Sequence, residues 1–220
     1  QIIRKDAEHR DIELNTATRL YYVTLPESTL EDARGEAKLL MSSLESEWGL
    51  TDLRIETSEL VKLQVALASG DRGVTVAVFE STQIIGVWSG LFDAPRGVAV
   101  DVGSTTVAAH LCDLATGDVL SSASVMNPQI PFGEDLMSRV SYIMMHPEGA
   151  EAMSSAIQTA LSKLFTELTD QLGEPTDNIL EVSLVANPIM HHLVLGINPI
   201  NLGGAPFALS LIHISSPRDS

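Results

Sequence analysis

Hydrophobic and polar positions along residues 19–90 switch repeatedly between strand and helix patterns. Runs with alternate apolar residues predict strands, and apolar residues spaced three and four apart predict amphipathic helices. The predicted elements are a strand over Arg19–Leu25, a helix from Ser28 or Thr29 to Gly49, a strand over Leu53–Thr57, a helix capped by Ser58 that ends near Gly70, and a hairpin of Val74–Phe79 with Ile84–Trp88. We therefore expect a small α+β domain over 19–90, preceded by a linker or edge strand over 1–18.

A second patterned block follows an interruption by Gly, Asp and Pro at 90–96. Two short turns join its first three strands, which predicts consecutive antiparallel pairing. The predicted elements are strands over Val98–Val102, Thr106–Asp113 and Val119–Met126, a helix starting at Glu134 and Asp135, a long helix over Ala150–Leu172, a strand over Ile179–Ala186 and a short helix over Ile189–Leu195. The order is β-β-β-α-β-α.

The first turn of this block carries candidate chemistry in the string Asp101-Val-Gly-Ser-Thr-Thr106. We expect Gly103 to adopt a positive φ and to let the backbone approach an anion. The amides and hydroxyls of the next three residues are then donors for phosphate oxygens. Asp101 at the strand end suits a magnesium ion held through water. The same residues also fit an ordinary tight hairpin with small polar turn residues.

The predicted topology favours phosphate binding over an inert hairpin. The order β-β-β-α-β-α is the repeating half of the actin-like (ribonuclease H-like) ATPase fold, in which the turn between the first two strands holds the phosphates. The motif therefore stands where that fold needs it. We expect an α+β / α/β chain in which residues 97–210 form the N-terminal half of an actin-like ATPase domain.

Composition narrows the classes of partner. The net charge of −16 repels nucleic acid and anionic membranes, so neither is expected as a partner. Cys112 is the single cysteine, which excludes an internal disulfide and a cluster that takes four cysteines, and it favours a cytoplasmic setting.

The chain starts at Gln1, and its apolar pattern ends before residues 211–220. We expect an incomplete chain with a non-native or disordered tail.

Several strings together resemble one narrower family, the reductive activators of corrinoid-dependent methyl-transfer proteins. They are Gly97-Val-Ala-Val-Asp-Val-Gly-Ser-Thr-Thr106, Asn127-Pro-Gln129, Gly133-Glu-Asp135 with Ser138-Arg139, Asn187 with Met190-His-His-Leu193 and Gly196, and Gly203-Gly-Ala-Pro-Phe207. The resemblance runs from about Leu20 to Phe207 and makes residues 19–90 similar to the family's middle domain.

The resemblance implies a redox repair enzyme. Such proteins carry an N-terminal [2Fe–2S] domain, a middle domain and an actin-like ATPase domain, and they return a cob(II)alamin protein to the cob(I)alamin state with the help of ATP. The implied cofactors are ATP and Mg²⁺, with the [2Fe–2S] cluster outside this chain. The implied partner is a corrinoid protein, and a homodimer is the assembly expected from the family. The second ATPase half is also missing, so we expect this fragment alone to be inactive.

Site roles follow from the turn and from the resemblance. Asp101 is assigned to magnesium, and Gly103, Ser104, Thr105 and Thr106 are assigned to the phosphates. Glu134 and Asp135 are candidates to position magnesium or water, and Asn187 is a candidate cofactor-binding residue at a strand end. Acids in the first turn of a helix also simply stabilise it, and Asn187 equally suits a helix cap.

Two other functions remain open at this level. A small-molecule kinase of the same fold needs a carboxylate in the cleft, and Glu134 with Asp135 leaves that open. A non-catalytic scaffold would use the actin-like half to bind a protein. Cluster cysteines at ferredoxin spacing in the flanking sequence would favour the activator and argue against the kinase.

Overall fold

The computed structural model describes residues 14–27, 35–68 and 72–203. The chain divides into two compact units, one of Gln1–Asp93 with Leu114–Gly117 and one of Ala94–Asp113 with Asp118–Ser220. The division after Asp93 lies inside the interruption at 90–96. No helix in the described part of the chain is both long enough and apolar enough to cross a membrane.

In its described residues the first unit is a four-stranded mixed sheet with two helices. Its elements are β1 Thr18–Thr24, α1 Glu36–Trp48, β2 Arg54–Ile55, α2 Thr57–Ala68, β3 Gly73–Phe79 and β4 Gln83–Ser89. The strand order is β1-β3-β4-β2, with β2 parallel to β4 and the other pairs antiparallel. Leucines of both helices pack with valines of β3 in an apolar core. The structure confirms the predicted small α+β module.

Both helix starts in this unit differ from the sequence prediction. The helix α1 starts at Glu36 after the extended residue Gly35, so one helix does not run continuously from residue 28 or 29. Glycine disfavours a helix interior because it loses the most backbone freedom there. Ser28 and Thr29 themselves lie outside the described residues. In α2 the N–H groups of Glu59 and Leu60 donate to the Glu56 carbonyl, so Ser58 lies inside the helix and does not cap it.

The second unit pairs another four-stranded sheet with three helices. Its elements are β5 Arg96–Val102, β6 Thr106–Asp113, β7 Val119–Met126, α3 Leu136–Met145, α4 Gly149–Asp170, β8 Ile179–Ala186 and α5 Pro188–Val194, with short 3₁₀ turns at Ile130–Phe132, Thr176–Asn178 and Ile200–Leu202. The strand order is β7-β6-β5-β8, with β8 parallel to β5. This order and connectivity make the unit part of an actin-like fold.

Alternation along the central strands separates a covered face from an open face. Val98, Val100 and Val102 are buried in a core formed with apolar residues of α3, α4 and α5. Asp101 is exposed and lies opposite Ala108 in the ladder. Since side chains alternate along strands, Asp101 and Thr106 lie on the same open face.

The end of β5 determines where a site can form. Val102 is paired with Val107 on one side and with Ala186 on the other. The turn over residues 103–105 and the chain leaving β8 at Asn187 therefore lie at the same end of the sheet. Ligands of open α/β sheets gather outside the carboxyl ends of parallel strands, where this turn lies.

Candidate functional site

The turn between β5 and β6 has its carbonyl groups bound on the protein side. Asn127 Nδ2 donates to the Gly103 carbonyl at 2.7 Å, and the Asn127 N–H donates to the Thr105 carbonyl at 2.8 Å. An Arg139 guanidinium N–H donates to the Ser104 carbonyl. All three carbonyls of the turn thus accept hydrogen bonds from residues that are themselves buried.

The amides of the turn are oriented by those same bonds. In a planar trans peptide the carbonyl and the following N–H point in opposite directions. With the carbonyls of Gly103 and Ser104 bound inside, the N–H groups of Ser104 and Thr105 point away from the protein. Neither of these N–H groups donates a hydrogen bond to any residue that the structure describes. Two adjacent amide donors are therefore left for a ligand.

Gly103 plays a different part from the one expected. It is not among the described residues with positive φ, so the expectation of a left-handed glycine was wrong. A Cβ at this position would instead lie 2.8 Å from the Thr106 carbonyl oxygen, because the Gly103 N–H donates to that oxygen across the turn at 3.0 Å. Close approach of two backbone segments is what requires glycine here.

Arg139 lies beneath the turn and is fully buried. Its Nε donates to the Gly133 carbonyl at 2.9 Å, and its Nη2 donates to the Ser104 carbonyl. Its Nη1 lies 3.3 Å from Gln129 Oε1 and 3.2 Å from Met190 Sδ. Burial lowers the pKa of this guanidinium from its usual value, and the charge of Asp135 partly opposes that change. Arginine nevertheless stays charged in proteins.

Asn127, Gln129, Arg139 and Met190 form one connected set, which we call the turn-support network. The Gln129 N–H donates to Asn127 Oδ1 at 2.9 Å, and Gln129 Nε2 donates to the Met153 carbonyl of α4 at 3.1 Å. Asn127 Nδ2 also lies 3.9 Å from Met190 Sδ. Buried polar groups that are satisfied in this way rigidify a structure and fix one geometry. The network anchors the turn to the core.

Gly133 lets the segment before α3 lie against the helix. A Cβ there would stand 2.6 Å from Ser138 Oγ and 2.7 Å from the Arg139 backbone nitrogen. This contact brings the Gly133 carbonyl within reach of the Arg139 side chain. The glycine is thus required by close packing.

The predicted acidic residues fall into two situations. Asp101 and Glu134 are exposed, and Asp101 shares the open face with Thr106. Asp135 caps α3, since its Oδ1 accepts the Ser138 N–H at 2.8 Å, and this bond lowers the pKa of the carboxyl. Within residues 14–27, 35–68 and 72–203 no three His, Cys, Asp or Glu side chains group as a metal site. Any magnesium ion here would therefore depend on water and phosphate for most of its ligands.

Asn187 also acts as a helix cap. Its Oδ1 accepts the Met190 N–H at 3.0 Å at the start of α5, which is one of the two roles that the sequence allowed. The cap fixes the start of α5, and that start carries Met190 into the turn-support network. A role of Asn187 toward a cofactor stays a prediction.

Sequence reasoning gave no role to the turn-support network. Asn127, Gln129, Arg139 and Met190 entered only as parts of the family strings. One signal was available: Arg139 stands at helical spacing from Leu136 and Ile143, on the apolar stripe of α3. A lone arginine on a core-facing stripe must find buried acceptors, because a buried charge without hydrogen bonds is very costly.

The comparisons with known proteins define the family of the chain. The sequence profile of the RACo middle region matches residues 96–217, and that of the RACo linker region matches residues 7–94. The fold and the turn define the class as an α+β chain whose second unit is a partial actin-like fold. Within that class, the chain belongs to the RACo family. The RACo middle region therefore covers the second unit. Residues 19–90, for which a similarity to the family's middle domain was expected, match the RACo linker region instead.

Two relatives extend the match. The corrinoid activation enzyme RamQ of Eubacterium limosum is 35% identical over 127 residues, which are 55% of this chain and 21% of that enzyme. A solved structure of a reductive activator for corrinoid, iron-sulfur protein superposes with a TM-score of 0.77 at 28% identity. It covers 91% of this chain, which in turn covers 32% of the solved chain. The chain thus spans about a fifth to a third of these relatives.

Proposed function

We propose that the full-length protein is an ATP-dependent reductive activator of a corrinoid protein and returns its cob(II)alamin to cob(I)alamin. Membership of the RACo family supports corrinoid activation, as do the two relatives, a corrinoid activation enzyme and a reductive activator. The observation that carries the nucleotide part is the pair of outward N–H groups at Ser104 and Thr105. The corrinoid protein is the partner, and its cobalt is the substrate of the reaction.

The turn fits the terminal phosphates of a nucleotide. Two adjacent amides and the hydroxyls of residues 104–106 are the donors that phosphate oxygens accept. Asp101, on the same face as Thr106, would hold Mg²⁺ through water, because this ion keeps several waters of its own. Glu134 and Asp135 would orient such waters, and Asn187 would approach the nucleotide from the end of β8. Hydrolysis of ATP, which transfers its terminal phosphate to water, would supply free energy for the reaction.

Electron delivery is assigned to a region outside these residues. Cys112 is the single cysteine, and a [2Fe–2S] cluster takes four protein ligands. A [2Fe–2S] cluster bound in that region would supply the one electron that converts the partner's Co(II) to Co(I), and would itself be oxidised by one electron. Each unfavourable ~59 mV of potential lowers the equilibrium constant of this transfer tenfold. Hydrolysis of ATP would offset that by favouring a closed state in which the corrinoid accepts the electron more readily.

The test uses the anaerobic full-length protein with its reduced cluster and a cob(II)alamin protein. We expect cob(I)alamin absorption to appear only with MgATP, and ATP hydrolysis to rise when the corrinoid protein is added. Gly103→Ala should abolish both, because a Cβ would meet the Thr106 carbonyl at 2.8 Å. The control variant Val65→Ala, in an exposed residue of the first unit, should retain both.

Three results would contradict the proposed activator. ATP hydrolysis that ignores the corrinoid protein, with no cob(I)alamin formed, would reject the activator. Phosphate transfer from ATP to a small molecule would select the kinase. Binding of a protein without any hydrolysis would select the scaffold.

A further inference from the structure

Arg139 is a buried positive charge without a carboxylate bound to it. Its acceptors are two backbone carbonyls, the Gln129 amide oxygen and the Met190 sulfur. No ion pair to Arg139 within 4.0 Å occurs in the part of the chain that the structure describes. Asp135 is near enough to act on it electrostatically, but the Asp135 carboxylate is exposed and caps α3.

The position of this charge is specific to the turn. The Ser104 carbonyl accepts from Nη2, and the Thr105 N–H belongs to the same peptide unit. Because that unit is planar and trans, a carbonyl held toward Arg139 holds the Thr105 N–H outward. The guanidinium lies on the protein side of the Ser104–Thr105 peptide unit, and the Thr105 N–H lies on the opposite side of that unit. Its hydrogen bond also polarises the peptide and makes that N–H a stronger donor.

We propose that Arg139 is the positioning residue of the phosphate-binding turn, holding the Thr105 amide outward and leaving an uncompensated positive charge beneath bound polyphosphate. This proposal rests on the proposed function, since it needs a nucleotide's terminal phosphates at residues 103–105. A protein that buries an arginine only for stability ordinarily pairs it, because an unpaired buried charge is costly. An anion arriving at the turn would complete the pairing that the chain itself leaves open.

The proposal predicts an effect that grows with the charge of the ligand. Adenosine has no phosphate, so it should be indifferent to Arg139, whereas MgATP should depend on it strongly. A hydrogen bond to a charged group contributes enough for a loss of about 10-fold to 100-fold in affinity. Lysine preserves the charge but has no planar fork for the carbonyls of Ser104 and Gly133 together.

The experiment is calorimetric titration of the full-length protein with MgATP and, separately, with adenosine. Arg139→Met should weaken MgATP binding about 10-fold or more and leave adenosine binding within about twofold. Arg139→Lys should lie between wild type and Arg139→Met for MgATP. Arg96→Met, which removes a second buried arginine among the described residues of this unit, is the matched control and should bind MgATP as wild type does.

Each other outcome overturns the proposal. Wild-type affinity for MgATP in Arg139→Met would remove Arg139 from phosphate binding while leaving the nucleotide site intact. Equal losses for MgATP and adenosine in the Arg139 variants would reduce Arg139 to a structural residue. If Arg139→Met does not fold, the same comparison of MgATP with adenosine is made in Arg139→Lys. A wild-type protein that binds adenosine but not MgATP would reject the proposed function together with this inference.

Discussion

The two ends of β5 are both anchored by a buried arginine, but the two arginines are treated in opposite ways. At the start of the strand Arg96 is bound by two carboxylates. Its Nε and Nη2 donate to the two oxygens of Glu174 at 2.8 and 2.7 Å, and its Nη1 donates to Asp113 at 2.7 Å. Beyond the other end, every acceptor that the described residues provide for Arg139 is neutral.

The pKa shifts express the same contrast. The hydrogen bond to Glu174 raises the pKa of Arg96, whereas desolvation lowers the pKa of Arg139. A charge neutralised inside the protein stabilises the fold and offers little to a ligand. A charge left without a counterion is available to an anion from outside. We conclude that the fold itself neutralises the arginine at the start of β5, whereas the arginine beyond its end keeps a charge that an anion can neutralise.

Removal of Arg139 should give the largest loss of stability. Arg139→Met leaves the partly buried carbonyls of Ser104 and Gly133 without the donors of Arg139, and a buried polar group left unsatisfied costs about 1–3 kcal/mol. We expect the second unit to lose about 3 kcal/mol, measured by hydrogen exchange of the inner strand β6. Arg139→Lys should lose less, because it retains a donor. A loss below about 1 kcal/mol in Arg139→Met would show that the turn does not need this support.

A methyl group added at Gly133 tests the packing of the segment before α3, which carries the Gly133 carbonyl to Arg139. Gly133→Ala would place a Cβ 2.7 Å from the Arg139 backbone nitrogen, which cannot move aside as a flexible side chain can. Overpacking of this kind costs about 1–3 kcal/mol. We expect a loss near the middle of that range in urea unfolding. Unchanged stability would mean that the segment before α3 has room to shift.

The ion pair at the start of β5 should make the stability of the second unit depend on pH. The hydrogen bond from Arg96 lowers the pKa of Glu174, so its stabilisation is present above the unfolded-state pKa of a glutamate. It is lost as the pH falls through the lower folded-state value. Glu174→Gln should cost about 1–2 kcal/mol at pH 7, and that difference should shrink to nothing in acid. A difference that persists at low pH would contradict the assigned ion pair.

The helix cap at Asn187 should have the smallest effect. Asn187→Ala removes the acceptor of the Met190 N–H and should cost about 1 kcal/mol, measured by urea unfolding. Asn187→Ser should retain most of that stability, because serine also caps helices. If Asn187 contacts the nucleotide as well, the serine variant should bind MgATP more weakly despite its intact cap. Equal MgATP affinity in wild type and the serine variant would leave the cap as its whole role.

Local signals in the sequence were sufficient to predict most of the elements of the second unit. The bounds of β6, β7 and β8 agree with the prediction to the residue, because apolar runs there are flanked by clear turn residues. The cap at Asn187 was also among the predicted alternatives, since a cap involves residues within one helical turn. Asp135 was predicted in the first turn of α3, whereas it lies one residue before the helix as its N-cap.

Features that depend on distant contacts were not predictable in the same way. Arg139 meets a carbonyl 35 residues earlier in the chain, and no periodicity carries that information. The expected positive φ of Gly103 failed for the same reason, because the need for glycine comes from the backbone opposite. The family strings marked these residues without explaining them. The structure supplies the explanation, since most of those strings converge on one turn.

The central claim is that the amides of Ser104 and Thr105 bind a nucleotide's terminal phosphates. Hydrogen exchange of the full-length protein, resolved to single residues over 101–107 with and without MgATP, tests it most directly. We predict that MgATP slows exchange at both amides, since each would donate to a phosphate oxygen, while adenosine leaves them unchanged. Saturating MgATP that protects other regions but neither of these amides would contradict the account.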